Sequence, residues 1–153
     1  NDDPNASVLG NEQWAWLDRT LEESKADIVI ILSSIQILAT NHRFEKWSNF
    51  TVDRKKLLTR IDGLMQDKKV ILISGDRHRA GLYQKGNLIE ITASALNKGS
   101  SRPIETDPLL LGKTYPQTNF GVLNIEPSKN KITVSIHDKN GLELNSKVID
   151  IHQ

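Results

Sequence analysis

The sequence has 153 residues, 37% hydrophobic and 25% charged, with a formal net charge of +1. That length suits one domain with a sizeable core, and the balanced charge excludes nucleic-acid or membrane binding by bulk electrostatics. With no cysteine the chain has no disulfide, no thiolate nucleophile and no zinc–thiolate site, and no apolar run approaches the roughly 20 residues of a membrane span.

The start, NDDPNASVLG, has neither an initiator methionine nor a signal-peptide pattern, which points to a processed chain or a piece of a longer one. In LGNEQWAWLDRTLEES, Trp14, Leu17 and Leu21 recur at helical spacing. Gly10 serves as N-cap, and Leu9 and Trp14 are placed for a hydrophobic staple. DIVIILSS, residues 27–34, is a continuous apolar run of the kind buried on both faces of a sheet. NHRFEKWSNFTV, residues 41–52, has no period and reads as a long loop, where function often sits. Asp53 is expected to cap a second helix, with Leu57, Leu58, Ile61, Leu64 and Met65 on one face. KKVILISG, residues 68–75, is a second strand buried on both faces.

The second half changes character. AGLYQKGNLIEITAS predicts a hairpin turning at Lys85-Gly86-Asn87, and residues 97–118 form a long loop. NFGVLNIEP, KITVSIHD and LELNSKVIDIHQ alternate, with turns at Ser128–Asn130 and Lys139–Gly141, and predict a terminal antiparallel meander. Helix, strand, helix, strand and then antiparallel strands predict part of a layered α/β sandwich. No internal repeat divides residues 1–153.

The stretch VILISGDRHRAG, residues 70–81, carries the candidate chemistry. Open α/β sheets hold their sites at the carboxyl ends of buried strands. On an extended segment Asp76 and His78, one residue apart, share a side. Carboxylate and imidazole are ligands for iron, manganese or zinc, and carboxylate oxygens also suit calcium. Gly75 is read as permitting close backbone approach. Arg77 and Arg79 would point the other way or flank the site, where a guanidinium fork suits a phosphate. The tetrapeptide alone fits better a strand-end turn in which Asp76 caps and His78 is half-exposed.

Several blocks in order carry a wider signal: LGNEQWAWLDRTLEESKADIVIILSSIQIL, FEKWSNFTVDRKKLL, VILISGDRHRAGL, LIEITASAL, NFGVLNIE and IHDKNG. Together they resemble the C-terminal half of the PhoD-like alkaline phosphatases, a branch of the calcineurin-like metallophosphoesterases. The resemblance implies the C-terminal half of a layered α/β/β/α sandwich. It implies a two-metal hydrolase of phosphomonoesters and phosphodiesters, with Asp76 ligating one ion and His78 the other. Iron and calcium are the implied ions, with manganese or zinc open. Other implications are a phosphate ester substrate, no membrane span and a secreted, periplasmic or cell-surface location. The family's remaining ligands lie in an N-terminal half; besides Asp76-Arg77-His78 itself and Asp150-Ile151-His152 at the end of the meander no D-x-H run occurs here, and there is no G-D-x-x-D or N-H-[DE] run. The resemblance therefore implies half an active site, with the N-terminal half, covalent or as a separate chain, as partner. The contrasting expectation is a non-catalytic binding or structural module on the same scaffold.

Further residues carry expectations of their own. His42 and Arg43, in the loop after SSIQIL, either orient substrate or form a solvated pair, and Asn41 shares that choice. Gln36 reads as a hydrogen-bonding wall and Trp47 as a loop anchor. His137 and His152 lie in the meander and read as structural or exposed. Asn119-Phe120-Gly121 predicts packing with a close backbone approach.

Overall fold

A computed structural model describes residues 6–101 and 103–152. Helix α1 (Asn11–Glu23) begins after Gly10, whose extended backbone forms the N-cap and whose carbonyl accepts from Trp14 N–H at 3.0 Å. Helix α2 (Thr51–Leu64) buries Leu57, Leu58 and Ile61, as its periodicity predicts. Asp53 does not cap that helix: the N-cap is Phe50. The Asp53 carboxylate instead accepts from Ser7 Oγ and Val8 N–H, both at 2.7 Å, and so holds the segment leading into α1. A carboxylate inside the first turn can turn outward to a neighbouring chain segment that offers free N–H groups, and residues 7–9 do so here.

The first sheet has the order β1-β2-β4-β3, built from β1 (Ile28–Ser33), β2 (Lys69–Ser74), β3 (Ala80–Lys85) and β4 (Leu88–Ala93). Strands β1, β2 and β4 are parallel, and β3 runs antiparallel to β4. The β3–β4 hairpin turns where predicted, with Gly86 at φ 58°, a conformation glycine adopts without side-chain clash. Because β3 lies beyond β4, the chain leaving β2 must cross the end of β4 to reach it.

The second sheet is the predicted meander β5-β6-β7 (Asn119–Glu126, Lys131–Asp138, Glu143–Asp150). Strand β2 lies between layers. Val70 and Leu72 pack with Trp14, Leu57 and Ile61 of the helices, whereas Ile71 packs with Ile132, Val134 and Ile136 of β6. This alternation on an unbroken apolar strand gives a helix layer, a sheet and a second sheet. Close contact between the sheets depends on Gly121, where a Cβ would meet Ile91 Cδ1 at 2.9 Å.

Two segments depart from expectation. Strand β1 is not buried on both faces: Ile30 is 37% and Leu32 76% exposed. Their register partners, Ile71 and Ile73, face the second sheet, which reaches Ile28 of β1 but leaves Ile30 and Leu32 uncovered at the edge. The loop of residues 97–118 is partly extended. Tyr115 exchanges backbone hydrogen bonds with Ala80, and Leu111 N–H donates to the Leu82 carbonyl, so this segment covers the outer edge of β3.

Candidate active site

Residues 75–79 cross the carboxyl end of β4 and are pinned there by Ser94. Its hydroxyl accepts from Arg77 N–H at 2.9 Å, and its own N–H donates to the Arg79 carbonyl at 3.3 Å. The left-handed conformations in this loop fall on Asp76 (φ 61°) and His78 (φ 50°). Gly75 itself has room for a methyl group, its nearest neighbours being Ser34 O at 3.6 Å and Ser94 Cβ at 3.9 Å. The close approach read into Gly75 is therefore absent. Two non-glycine residues held at positive φ within three positions are strained, and such strain gathers at functional sites.

Asp76 and His78 are exposed, and Arg77 and Arg79 between and after them are buried. The alternation expected of a strand persists, although the backbone here is a bend. Arg77, 5% exposed, donates to Glu105 Oε1, and its guanidinium lies 4.6 Å from the centre of the Phe44 ring. Arg79, 2% exposed, donates to the Pro103 carbonyl at 2.8 Å and lies 3.7 Å from Glu105 Oε2. Both guanidinium groups thus reach into the protein.

Beside this loop, residues 41–44 and 103–106 enclose a groove of about 510 Å³. Arg77 touches both walls, through Phe44 on one and Glu105 on the other. The path into the first wall is held by side chains of other elements. Glu90 of β4, fully buried, accepts Ile37 N–H at 2.9 Å and Leu38 N–H at 2.6 Å. Arg54 of α2 donates to the carbonyls of the same two residues, at 2.7 and 2.9 Å. All four peptide groups of Ile37 and Leu38 are therefore satisfied by two side chains of opposite charge. Burial pushes the Glu90 carboxyl above its usual range, against the pull of Ser74, the two N–H groups and Arg54. Further on, Asp107 accepts from Thr40 N–H at 2.6 Å and Asn41 N–H at 2.9 Å. Gln36 Nε2 donates to Thr92 Oγ1, and Trp47 Nε1 to Ser33 Oγ, so these two act as the predicted wall and loop anchor.

Asn41 and Arg43 are exposed on this wall, and His42 is half-buried. His42 Nδ1 accepts from Phe44 N–H at 3.2 Å. Burial, with the charges of Arg77 and Lys46, lowers the His42 pKa from 6.5 to about 4. The stability linked to neutral His42 is present above its unfolded value and is lost as pH falls from about 6.5 towards 4. Ring-nitrogen NMR is expected to place its midpoint near 4; a midpoint near 6.5 would show a solvated ring. His137, in contrast, stacks on Phe120 in the meander.

An exposed carboxylate and imidazole, turned outward at a strand end, fit as donors to a metal ion. Among the described residues no group of three or more His, Asp and Glu side chains is gathered around one point. Glu90, Arg54, Glu105 and Asp107 escape the sequence reading. A lone glutamate in LIEITAS was a signal, because a charge in an apolar strand requires a partner.

The sequence matches the PhoD-like phosphatase family over residues 1–139. Among solved structures, GAP50, "the anchor in the inner membrane complex of Plasmodium", superposes with a TM-score of 0.67 at 16% identity, over 97% of this chain and 46% of its own. That likeness is one of fold, and the chain spans about half the length of that protein. A conserved predicted phosphoesterase from Streptococcus pneumoniae aligns with a TM-score of 0.40 at 10% identity, over 67% of this chain and 49% of its own. No curated protein shows significant similarity to the sequence.

Proposed function

Because the chain belongs to the PhoD-like phosphatase family, we propose that it supplies Asp76 and His78 to the metal site of a phosphoric ester hydrolase whose other ligands lie outside this sequence. The observation that carries this reading is the outward, left-handed placement of these two donors at the carboxyl end of the parallel strands. A pair of ions at such a site supplies a nucleophilic water at neutral pH and positive charge for the phosphate oxygens. Asp76 offers carboxylate oxygens and His78 a ring nitrogen. Arg77 and Arg79 hold the loop from below. Asn41 and Arg43, exposed on the adjoining wall, are placed to orient an ester. Iron with calcium is the proposed pair, manganese or zinc being other outcomes of elemental analysis.

The proposed partner is the N-terminal half of the same protein, covalently joined or cleaved. Its binding surface is the outer edge of β1, where Ile30 and Leu32 present apolar area beside a strand edge that no other strand pairs among the described residues. Among the described residues no helix is long and apolar enough to cross a membrane; a secreted, periplasmic or cell-surface location is part of the proposal. A second reading, a non-catalytic module on the same scaffold, draws support from the fold shared with an anchor protein.

The two readings part in one assay. Residues 1–153 alone are expected to show no appreciable hydrolysis of p-nitrophenyl phosphate or its bis ester with added iron, calcium, manganese or zinc. The full-length protein is expected to turn over one of them and to lose that activity on chelation. Full-length protein that binds no metal and hydrolyses neither ester would favour the non-catalytic module. Robust turnover by the isolated chain would contradict the half-site.

A further inference from the structure

We propose that Glu105 is a positioning residue for the metal site: it holds Asp76 and His78 in their outward, left-handed geometry through the two arginines that alternate with them. This rests on the reading of Asp76 and His78 as metal donors. The argument starts from strain. A carboxylate residue and a histidine both at positive φ persist only where the surroundings over-determine the backbone. Neither Asp76 nor His78 is buried, so their own side chains do not fix the loop.

The fixing comes from the residues next to them. Arg77 and Arg79 are drawn inward, and Glu105 is the carboxylate that both face, Oε1 to Arg77 and Oε2 to Arg79. With positions 77 and 79 pulled to one side, positions 76 and 78 are turned to the other. Glu105 is itself placed. Its N–H donates to Thr114 Oγ1 at 3.0 Å, and the same hydroxyl lies 3.4 Å from Arg79 Nη1. Pro103, two residues earlier, accepts from Arg79. The segment from Pro103 to Glu105 thus grips the arginines through both backbone and side chain. Two guanidinium groups out of water need that carboxylate more than an exposed pair would. Removing its charge therefore takes from both arginines the carboxylate they share, leaving Arg79 its bond to Pro103 and Arg77 its contact with Phe44, and loosens the alternation.

The experiment uses the full-length protein with Mn²⁺ as probe. Affinity is read by competition titration, and fold by the metal-free melting temperature. Glu105→Gln is expected to weaken Mn²⁺ binding about tenfold or more, in the range seen when a group that orients a ligand is removed. The double variant Glu105→Gln with Arg77→Met returns the net charge of the cluster to its wild-type value, with Arg79 still bonded to Pro103. It is expected to recover much of the melting temperature while binding stays weak. Glu105→Asp, which retains the charge, is expected to recover part of the affinity. Wild-type affinity in a folded Glu105→Gln or in the double variant would overturn the proposal. If the wild-type protein itself binds no Mn²⁺, the donor reading fails, and positioning is then read without metal. Backbone Cα shifts and φ-sensitive couplings of Asp76 and His78 are expected to leave the left-handed range in the double variant. Unchanged values there would overturn the proposal.

Discussion

Asp76→Asn in the full-length protein is expected to lose bound metal and to cut phosphoesterase activity by more than about a hundredfold, the upper range for groups that only orient a ligand. A donor bound directly to the ion should cost more than one acting through a neighbour, because metal affinity falls with the bond itself. Asparagine suits the test sterically. It keeps the shape of aspartate and tolerates φ near 61° better than most residues. The loop should therefore remain in place, and the loss reports the carboxylate charge, because the amide keeps only a neutral carbonyl oxygen. His78→Asn follows the same logic at φ 50°. Elemental analysis beside kinetics separates the outcomes: wild-type metal content in both variants would refute the assignment, whatever the activity.

The second large effect falls on stability. Glu90→Gln is expected to destabilise the fold by roughly 3 kcal/mol, because an unsatisfied buried donor costs about 1–3 kcal/mol and two donors are affected. The carboxylate accepts N–H groups on both oxygens, from Ile37 and Leu38. An amide has one oxygen for this task and turns its own N–H groups towards the other peptide. Arg54, which holds the carbonyls of the same two residues, also loses its opposite charge. The thermal midpoint should fall by about 6–12 °C for a domain of 150–250 residues. Replacing Glu45, exposed on the loop beyond, by Gln should leave the midpoint within about 1 °C, because surface substitutions away from such networks shift stability little. Equal midpoints for Glu90→Gln and wild type would show that the peptide groups of Ile37 and Leu38 find other partners.

Much of the architecture was legible because its signals are local. Gly10 ahead of Trp14, the apolar face of α2, the hairpin at Gly86 and the alternation of the meander depend on spacing within a dozen residues, and spacing is what a sequence displays. The types and separation of Asp76 and His78 likewise suggest a candidate metal site before any contact is known. The helix cap assigned to Asp53 failed for the converse reason. Its partners are Ser7 and Val8, and nothing in the local pattern of α2 points to them.

By itself the sequence determined the helix and strand segments and the two-layered meeting of parallel and antiparallel strands, and it singled out Asp76 and His78 as a candidate pair. Only the tertiary structure decided how that pair is held. Strand β3 passes beyond β4, so residues 75–79 cross the sheet end and bring Arg77 and Arg79 to Glu105. Strand β4 places Glu90 under Ile37 and Leu38, and the edge position of β1 leaves Leu32 exposed. Each of these depends on which distant side chains converge once the layers pack. An ion pair or a buried peptide group carries no period along the chain, because its energy is set by burial and by a partner brought near through the fold.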